Sequence, residues 1–209
     1  MIYGSADSRC VVDYSVLQPL LSRQHVDAIL TRYGFKPISI DLVNFARDYS
    51  ERARYRRGVS IQKAPTIVDC SSFMKWLYAQ RGIWLPRYAI QQRAYIADSI
   101  EREQLQSGDL VFASRRFGMY DTDASDRVGH VGMATDEGSI IHASQERGVC
   151  EVSLATFLKG SAWRGARRVI ADQNQIQTFT ISEMYNIESS DDIRWLIILH
   201  LRSRTIIPL

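Results

Sequence analysis

The sequence predicts an α+β protein in which N-terminal helices pack on a central antiparallel sheet. Apolar residues recur at three- and four-residue spacing in the first half of the chain, and the second half changes to short β-rich runs separated by turn signals. Helices first and strands after is the α+β order. A hydrophobic content of 45% over 209 residues supplies one substantial core, or one core with a small appendage.

Residues 1–38 read as an N-terminal extension with an irregular start. From there "SIDLVNFARDYSERARY" sets Leu42, Phe45, Ala46, Tyr49 and Ala53 on one helical face behind Ser39 as N-cap. Gly58 and Pro65 mark a turn-prone stretch. In "IVDCSSFMKWLY" and the residues after it, Phe73, Trp76, Leu77 and Gln80 share a face and Gly82 supplies the stop, predicting a helix from about Cys70 to Arg81. "YAIQQRAYIADSI", beyond Pro86, reads as another short helix. "GDLVFAS", "HVGMATD", "SIIHAS" and "ARRVIA" are the strands. The polar loop at 113–128 is of a length that is usually functional or disordered. Residues 172–209, with the run "IRWLIILHL", are too few for a domain and are expected to pack on the core as an added strand or helix. The organisation is therefore 1–38 extension, 39–171 main domain and 172–209 extension.

Charge and cysteine usage exclude several classes. The net charge of +3 is small, and although 22 of the 26 basic residues are Arg, with four in "RARYRR" at 52–57, no aromatic-interleaved basic stripe accompanies them. A solvated surface with Arg stems lying on the core accounts for the cluster better than a nucleic-acid partner. Cys10, Cys70 and Cys150 are widely spaced and odd in number, which argues against a disulfide framework and leaves at least one thiol free. The longest apolar run, "WLIIL", is far below the ~20 residues that span a bilayer. The first 20 residues have no basic region followed by an apolar one, so the expectation is a cytoplasmic protein, with export by another route left open.

Cys70 falls in the first turn of its helix, where partial positive charge and free N–H groups stabilise a thiolate. The neighbouring Asp69 opposes this unless its carboxylate points elsewhere. A nucleophilic thiol needs a base, and His130 in "HVGMATD" and His142 in "SIIHAS" would stand nearly opposite each other in a hairpin turning at 136 or 137. Cys70, His130 and His142 then supply nucleophile, base and the group that orients the base. A cysteine in an apolar helix is more often a small core residue, and a zinc site of one Cys and two His would lack a fourth protein ligand at familiar spacing.

These residues together resemble the NlpC/P60 cysteine peptidases, the papain-like peptidoglycan hydrolases. "VDCSSFMKWLYAQRGIWLPR" is similar to the family's Asp-Cys-Ser-Gly helix running into Leu-Pro-Arg. "LQSGDLVF" resembles its Pro-Gly-Asp-Leu-Val-Phe strand, "GHVGMATDEGSIIHAS" its His-Val-Gly hairpin and "GARRVI" its closing strand, over residues 39–171. The resemblance implies a papain-like fold with Cys70 as nucleophile, His130 as base, His142 as third member, and the Cys70 N–H among the oxyanion donors. It further implies Asp69 and Ser71 at the amino end of a substrate peptide, Tyr55 bordering the site, and no cofactor or metal. Two departures stand out: the family's Tyr-x-Trp-Gly-Gly appears here as "YRRGV", and Ser72 occupies a position where Gly is common.

The function this implies is a cysteine endopeptidase or amidase that hydrolyses peptidoglycan stem peptides at a D-γ-glutamyl-diamino acid bond through an acyl-enzyme. A thiol hydrolase or acyltransferase acting on a muropeptide fragment or a non-wall amide, and a catalytically silent binding module, remain the rival expectations. The partner is a stem peptide or muropeptide, with no nucleic acid and no membrane span; nothing in the chain sets an oligomeric state.

Overall fold

The computed structural model describes residues 6–17, 21–114, 127–161 and 163–205. Its helices are α1 (Arg23–Arg32), α2 (Leu42–Arg47), α3 (Cys70–Ala79), α4 (Ala89–Tyr95), α5 (Leu154–Phe157) and α6 (Ser190–Thr205). Its strands are β1 (Arg9–Asp13), β2 (Lys36–Ile38), β3 (Arg54–Tyr55), β4 (Ile67–Val68), β5 (Ser99–Ile100), β6 (Leu110–Ser114), β7 (Val128–Ala134), β8 (Ser139–Ser144), β9 (Gly148–Ser153), β10 (Trp163–Arg167) and β11 (Ile176–Thr180). Two compact units share them: one is Asp41–Leu77 with Leu85–Ala171, the other Met1–Ile40, Tyr78–Trp84 and Asp172–Leu209.

The larger unit is built on a six-stranded sheet in the order β5-β10-β6-β7-β8-β9, antiparallel at every pairing. Strands β6 and β7 bury nearly every residue, so both faces are covered, which is why they read as continuous apolar runs rather than alternation. Val111, Ala113, Ala134, Ile140, Phe157 and Ala166 form one buried cluster. Phe45 and Tyr49 pack on Trp76 at centroid distances of 5.6 and 4.8 Å, tying the α2 region to α3. The fold is the α+β arrangement the sequence predicts.

Several boundaries differ from expectation, each for a local reason. The α2 cap is Asp41, not Ser39, because its carboxylate reaches the N–H groups of Val43 and Asn44 at 3.0 and 3.1 Å. The helix also stops at Arg47: Glu51 adopts φ 63° and its N–H turns to Val149 O at 3.1 Å, so the spacing that carried the prediction on to Ala53 is not helical. Arg54 and Tyr55 instead pair in parallel with Ile67 and Val68, an element the antiparallel reading lacked. Helix α3 begins at Cys70 as predicted and ends two residues early, with Gly82 at φ 74° donating to Ala79 O and Ile83 donating to Tyr78 O. The closing strand runs over Trp163–Arg167, earlier than "ARRVIA", because Arg168 leaves the ladder to pair with Asp109 at 2.8 Å. Strand β9 was not foreseen at all. Of the 113–128 loop, residues 115–126 lie outside those described.

The smaller unit joins the two terminal segments. Strand β11 pairs antiparallel with β1 on one side and β2 on the other, so residues expected as separate extensions contribute to one three-stranded sheet. The described residues between 6 and 38 form β1, α1 and β2, where the sequence suggested an irregular segment. Cys10, Leu30, Phe35, Phe179, Ile193 and Ile197 are among its buried residues, and Tyr33 Oη lies 3.0 Å from His200 Nδ1. Among the described residues, no helix is long and apolar enough to cross a membrane.

Candidate active site

The start of α3 is held by reciprocal hydrogen bonds. Asp69 Oδ1 accepts the Ser72 N–H at 2.8 Å, and Ser72 Oγ accepts the Asp69 N–H at 2.8 Å, the closed form of a capping box. Ser72 is fully buried, and its hydroxyl also lies 3.2 Å from Asp69 O. A glycine at this position would lack the side-chain half of the box, so the departure at Ser72 has a structural role. Cys70 is the first residue of the helix thus fixed and is 7% exposed.

Arg87, which follows Pro86, supplies the countercharge. Its guanidinium donates to Asp69 Oδ1 at 3.0 Å and Oδ2 at 2.5 Å, to Ser71 Oγ at 3.1 Å and to Val59 O at 2.6 Å. Gly58 N–H adds a further bond to Asp69 Oδ2 at 3.1 Å. Burial by itself would raise the Asp69 pKa; the Arg87 pair and the Ser72 N–H overcome it and hold the carboxyl below its usual range. The electrostatic conflict between Asp69 and a Cys70 thiolate is thereby reduced, since the carboxylate is neutralised by a guanidinium. The resemblance assigned Asp69 to a substrate ammonium; in the fold it already has a cation, and Ser71 Oγ bridges the same pair, donating to Asp69 Oδ1 at 3.3 Å. The fully buried Gln92 donates to Ser71 O and Pro86 O, both at 2.9 Å, tying α4 to the first turn of α3.

The two histidines meet directly. His130 Nε2 and His142 Nδ1 are 2.8 Å apart, with the rings nearly perpendicular and both side chains buried. The pairs Met133↔Ile141 and Ala134↔Ile140 centre the turn on 137, so His130 stands on a diagonal two residues from the position facing His142. Gly132 faces His142 instead. A Cβ on Gly132 would come within 2.5 Å of Ile140 Cγ2, 3.0 Å of Ile141 O and 3.1 Å of His142 Cβ, so the absence of a side chain there leaves the imidazole its place. Phe157 stacks on His130 at 5.1 Å and meets His142 edge-on at 5.2 Å, fixing both ring planes. Cys150 Sγ lies 3.6 Å from His142 Nε2.

Cys70, His130, His142, Asp69, Ser71 and Tyr55 all belong to the larger unit. Tyr55 lies opposite Val68 in the β3–β4 pair, two residues before Cys70 along the partner strand. Sequence reasoning had not singled out Arg87, Gln92, Phe157 or Cys150 for the site. Arg87 carried a signal, its place in Leu-Pro-Arg; Gln92, Phe157 and Cys150 carried none. No group of three or more His, Cys, Asp or Glu among the described residues is arranged to hold a metal ion.

Comparison with known proteins shows the family of the chain. Residues 51–168 match the profile of the NlpC/P60 family. The γ-D-glutamyl-L-lysine dipeptidyl-peptidase of Bacillus cereus is 35% identical over 104 residues, covering 49% of this chain and 29% of that protein. The probable endopeptidase NlpC of Escherichia coli K12 is also 35% identical over 104 residues, covering 49% of this chain and 62% of the relative. The chain thus spans less than two thirds of each of these relatives. A crystal structure of an NlpC/P60 family protein from Bacillus cereus superposes with a TM-score of 0.51 at 28% identity, over 64% of this chain and 41% of the other. With the profile covering more than half of its length and that superposition beside it, the chain belongs to the NlpC/P60 family.

Proposed function

We propose that this protein is a cysteine hydrolase that cleaves an amide bond in peptidoglycan stem peptides, of the D-γ-glutamyl-diamino acid type. Cys70 is the nucleophile, His130 the base and His142 the residue that orients it. The observation that carries the reading is the 2.8 Å contact between His130 Nε2 and His142 Nδ1 in the unit whose α3 opens with Cys70. With Nε2 engaged by His142, proton exchange with the thiol falls to His130 Nδ1.

The Cys70 sulfur attacks the substrate carbonyl as its proton passes to His130, and the backbone N–H at the α3 start supports the oxyanion. His130 then protonates the leaving amine as the C–N bond breaks, giving an acyl-enzyme. Water, deprotonated by the same imidazole, attacks the thioester; the product carboxylate leaves and the thiol regains its proton. Asp69 and Ser71 flank the nucleophile on the substrate's amino side, with Arg87 setting the carboxylate's orientation. Support for the bond class comes from the name of the Bacillus cereus dipeptidyl-peptidase and from that of the peptidoglycan DL-endopeptidase CwlO of Bacillus licheniformis, 32% identical over 104 residues.

Digestion of defined muropeptides, read by mass spectrometry, tests the proposal. Wild type should release the fragments of γ-glutamyl cleavage and Cys70→Ala should release none. Identical product profiles from the two proteins on several stem peptides would sink the assignment and leave a binding module.

A further inference from the structure

Cys150 stands in direct register with His142 across the β8–β9 pair. Both are buried, at 3% and 8% exposure, and the thiol is a group for which the mechanism above has no use. Its sulfur lies 3.6 Å from His142 Nε2 and 3.6 Å from Ser144 Oγ, and that hydroxyl oxygen accepts the Arg147 N–H at 3.1 Å.

Counting hydrogens gives these contacts a direction. If His130 exchanges a proton with Cys70 through Nδ1, its Nε2 keeps its hydrogen whether the ring is neutral or protonated. Nε2–H therefore donates to His142 Nδ1 across the 2.8 Å contact. A neutral His142 accepting at Nδ1 must carry its own hydrogen on Nε2. That hydrogen meets Cys150 Sγ, a weak acceptor, and the thiol S–H is left to donate to Ser144 Oγ, whose lone pairs serve both Cys150 and Arg147. Every step runs one way: His130 to His142 to Cys150 to Ser144. Phe157 holds the ring planes but is indifferent to where the hydrogen sits, so tautomer choice rests on the sulfur.

We propose that Cys150 is a positioning residue that holds His142 in its Nε2–H tautomer and so keeps the Nδ1 lone pair facing His130. The inference rests on the Cys70, His130 and His142 assignment. Loss of the acceptor would leave a buried N–H unpaired and let His142 move its hydrogen to Nδ1, where it would confront the His130 N–H. A lost neutral hydrogen bond of this kind corresponds to roughly tenfold in rate.

Two readouts test it, one without any substrate. In protein labelled with 15N-histidine, proton–nitrogen correlation spectra should show wild-type His142 as the Nε2–H tautomer, with its signals assigned from a His142→Gln variant. Cys150→Ala should show Nδ1–H or a mixture, with kcat on muropeptides about tenfold lower and KM held within about twofold. Cys150→Ser, which restores an acceptor, should recover the tautomer and most of kcat. A wild-type Nδ1–H tautomer, or a Cys150→Ala variant unchanged in both tautomer and kcat, would overturn the proposal. Wild-type protein that cleaves no muropeptide yet keeps Nε2–H on His142, lost only in Cys150→Ala, would sink the hydrolase reading and still support the hydrogen-bond chain.

Discussion

Replacing Arg87 with methionine tests whether the start of α3 depends on its buried countercharge. Met preserves much of the Arg stem, so what disappears is the charge and its donors: two bonds to Asp69 at 3.0 and 2.5 Å, one to Ser71 Oγ at 3.1 Å and one to Val59 O at 2.6 Å. Asp69, 6% exposed, would keep the Gly58 and Ser72 N–H groups and the Ser71 hydroxyl and lose its cation. Breaking a buried pair from one side costs about 3–5 kcal/mol, and the surviving donors, Gly58 N–H, Ser72 N–H and Ser71 Oγ, place this case near the lower figure. For a chain of this size, about 3 kcal/mol lowers Tm by roughly 6–12 °C. A double-mutant cycle of Asp69→Asn and Arg87→Met, followed by urea unfolding at neutral pH, should return a coupling of about 2 kcal/mol. The acid limb gives a second reading. The folded-state pKa of Asp69 is depressed, so its contribution is present above the unfolded value of about 3.9 and is lost as pH falls through the folded value. Without Arg87 the folded value rises, and acid unfolding should begin at higher pH than in wild type. Additivity within about 0.5 kcal/mol together with an unshifted acid limb would refute the reasoning.

Gly132→Ala forces a methyl against Ile140 Cγ2, Ile141 O and His142 Cβ, and overpacking of this kind costs about 1–3 kcal/mol. It should lower both Tm and kcat, and a variant unchanged in either calorimetry or turnover would show that the hairpin has room to spare. Burial pushes the Cys10 thiol up to about 12, so iodoacetamide should leave Cys10 untouched at neutral pH and label Cys70 faster than Cys10 and Cys150. Peptide mapping by mass spectrometry reads the sites, and equal rates at all three thiols would count against an activated Cys70.

The fold was legible where pattern and burial coincide. Helix α3 and strands β6, β7 and β8 are buried on most of their residues, and their apolar runs stand out from the turns beside them. Strand β9 was not legible, because "GVCEVS" opens on glycine, carries a glutamate at its centre and buries only Val149 and Cys150. Its Glu151 is tolerable there because Arg47 bonds it at 2.9 Å, a partner 104 residues away that no local pattern announces. The shared sheet of the smaller unit failed to show for the same reason. Each terminal segment holds only part of it, and β11 joins strands some 140 to 170 positions distant.

The candidate site divides along similar lines. Cys70, His130 and His142 were legible because their chemistry is rare in this chain, which has three cysteines and four histidines. The residues that hold them were not, because Arg, Gln, Phe and Ser are common and their roles arise from contacts made after folding. Ser72 shows the difference. As a letter it was only a departure from the family pattern; as a folded residue it closes the capping box on Asp69, directly around Cys70. The same box explains how Asp69 can sit beside a thiol without spoiling it. One oxygen is drawn to the Ser72 N–H and Arg87, the other to Gly58 N–H and Arg87, so the carboxylate's charge is spent on the loop and the helix start rather than on the sulfur. On the proposed function, a substrate ammonium reaching Asp69 would meet an anion already half satisfied, and its binding would depend on how Arg87 and Ser71 share Asp69 with it.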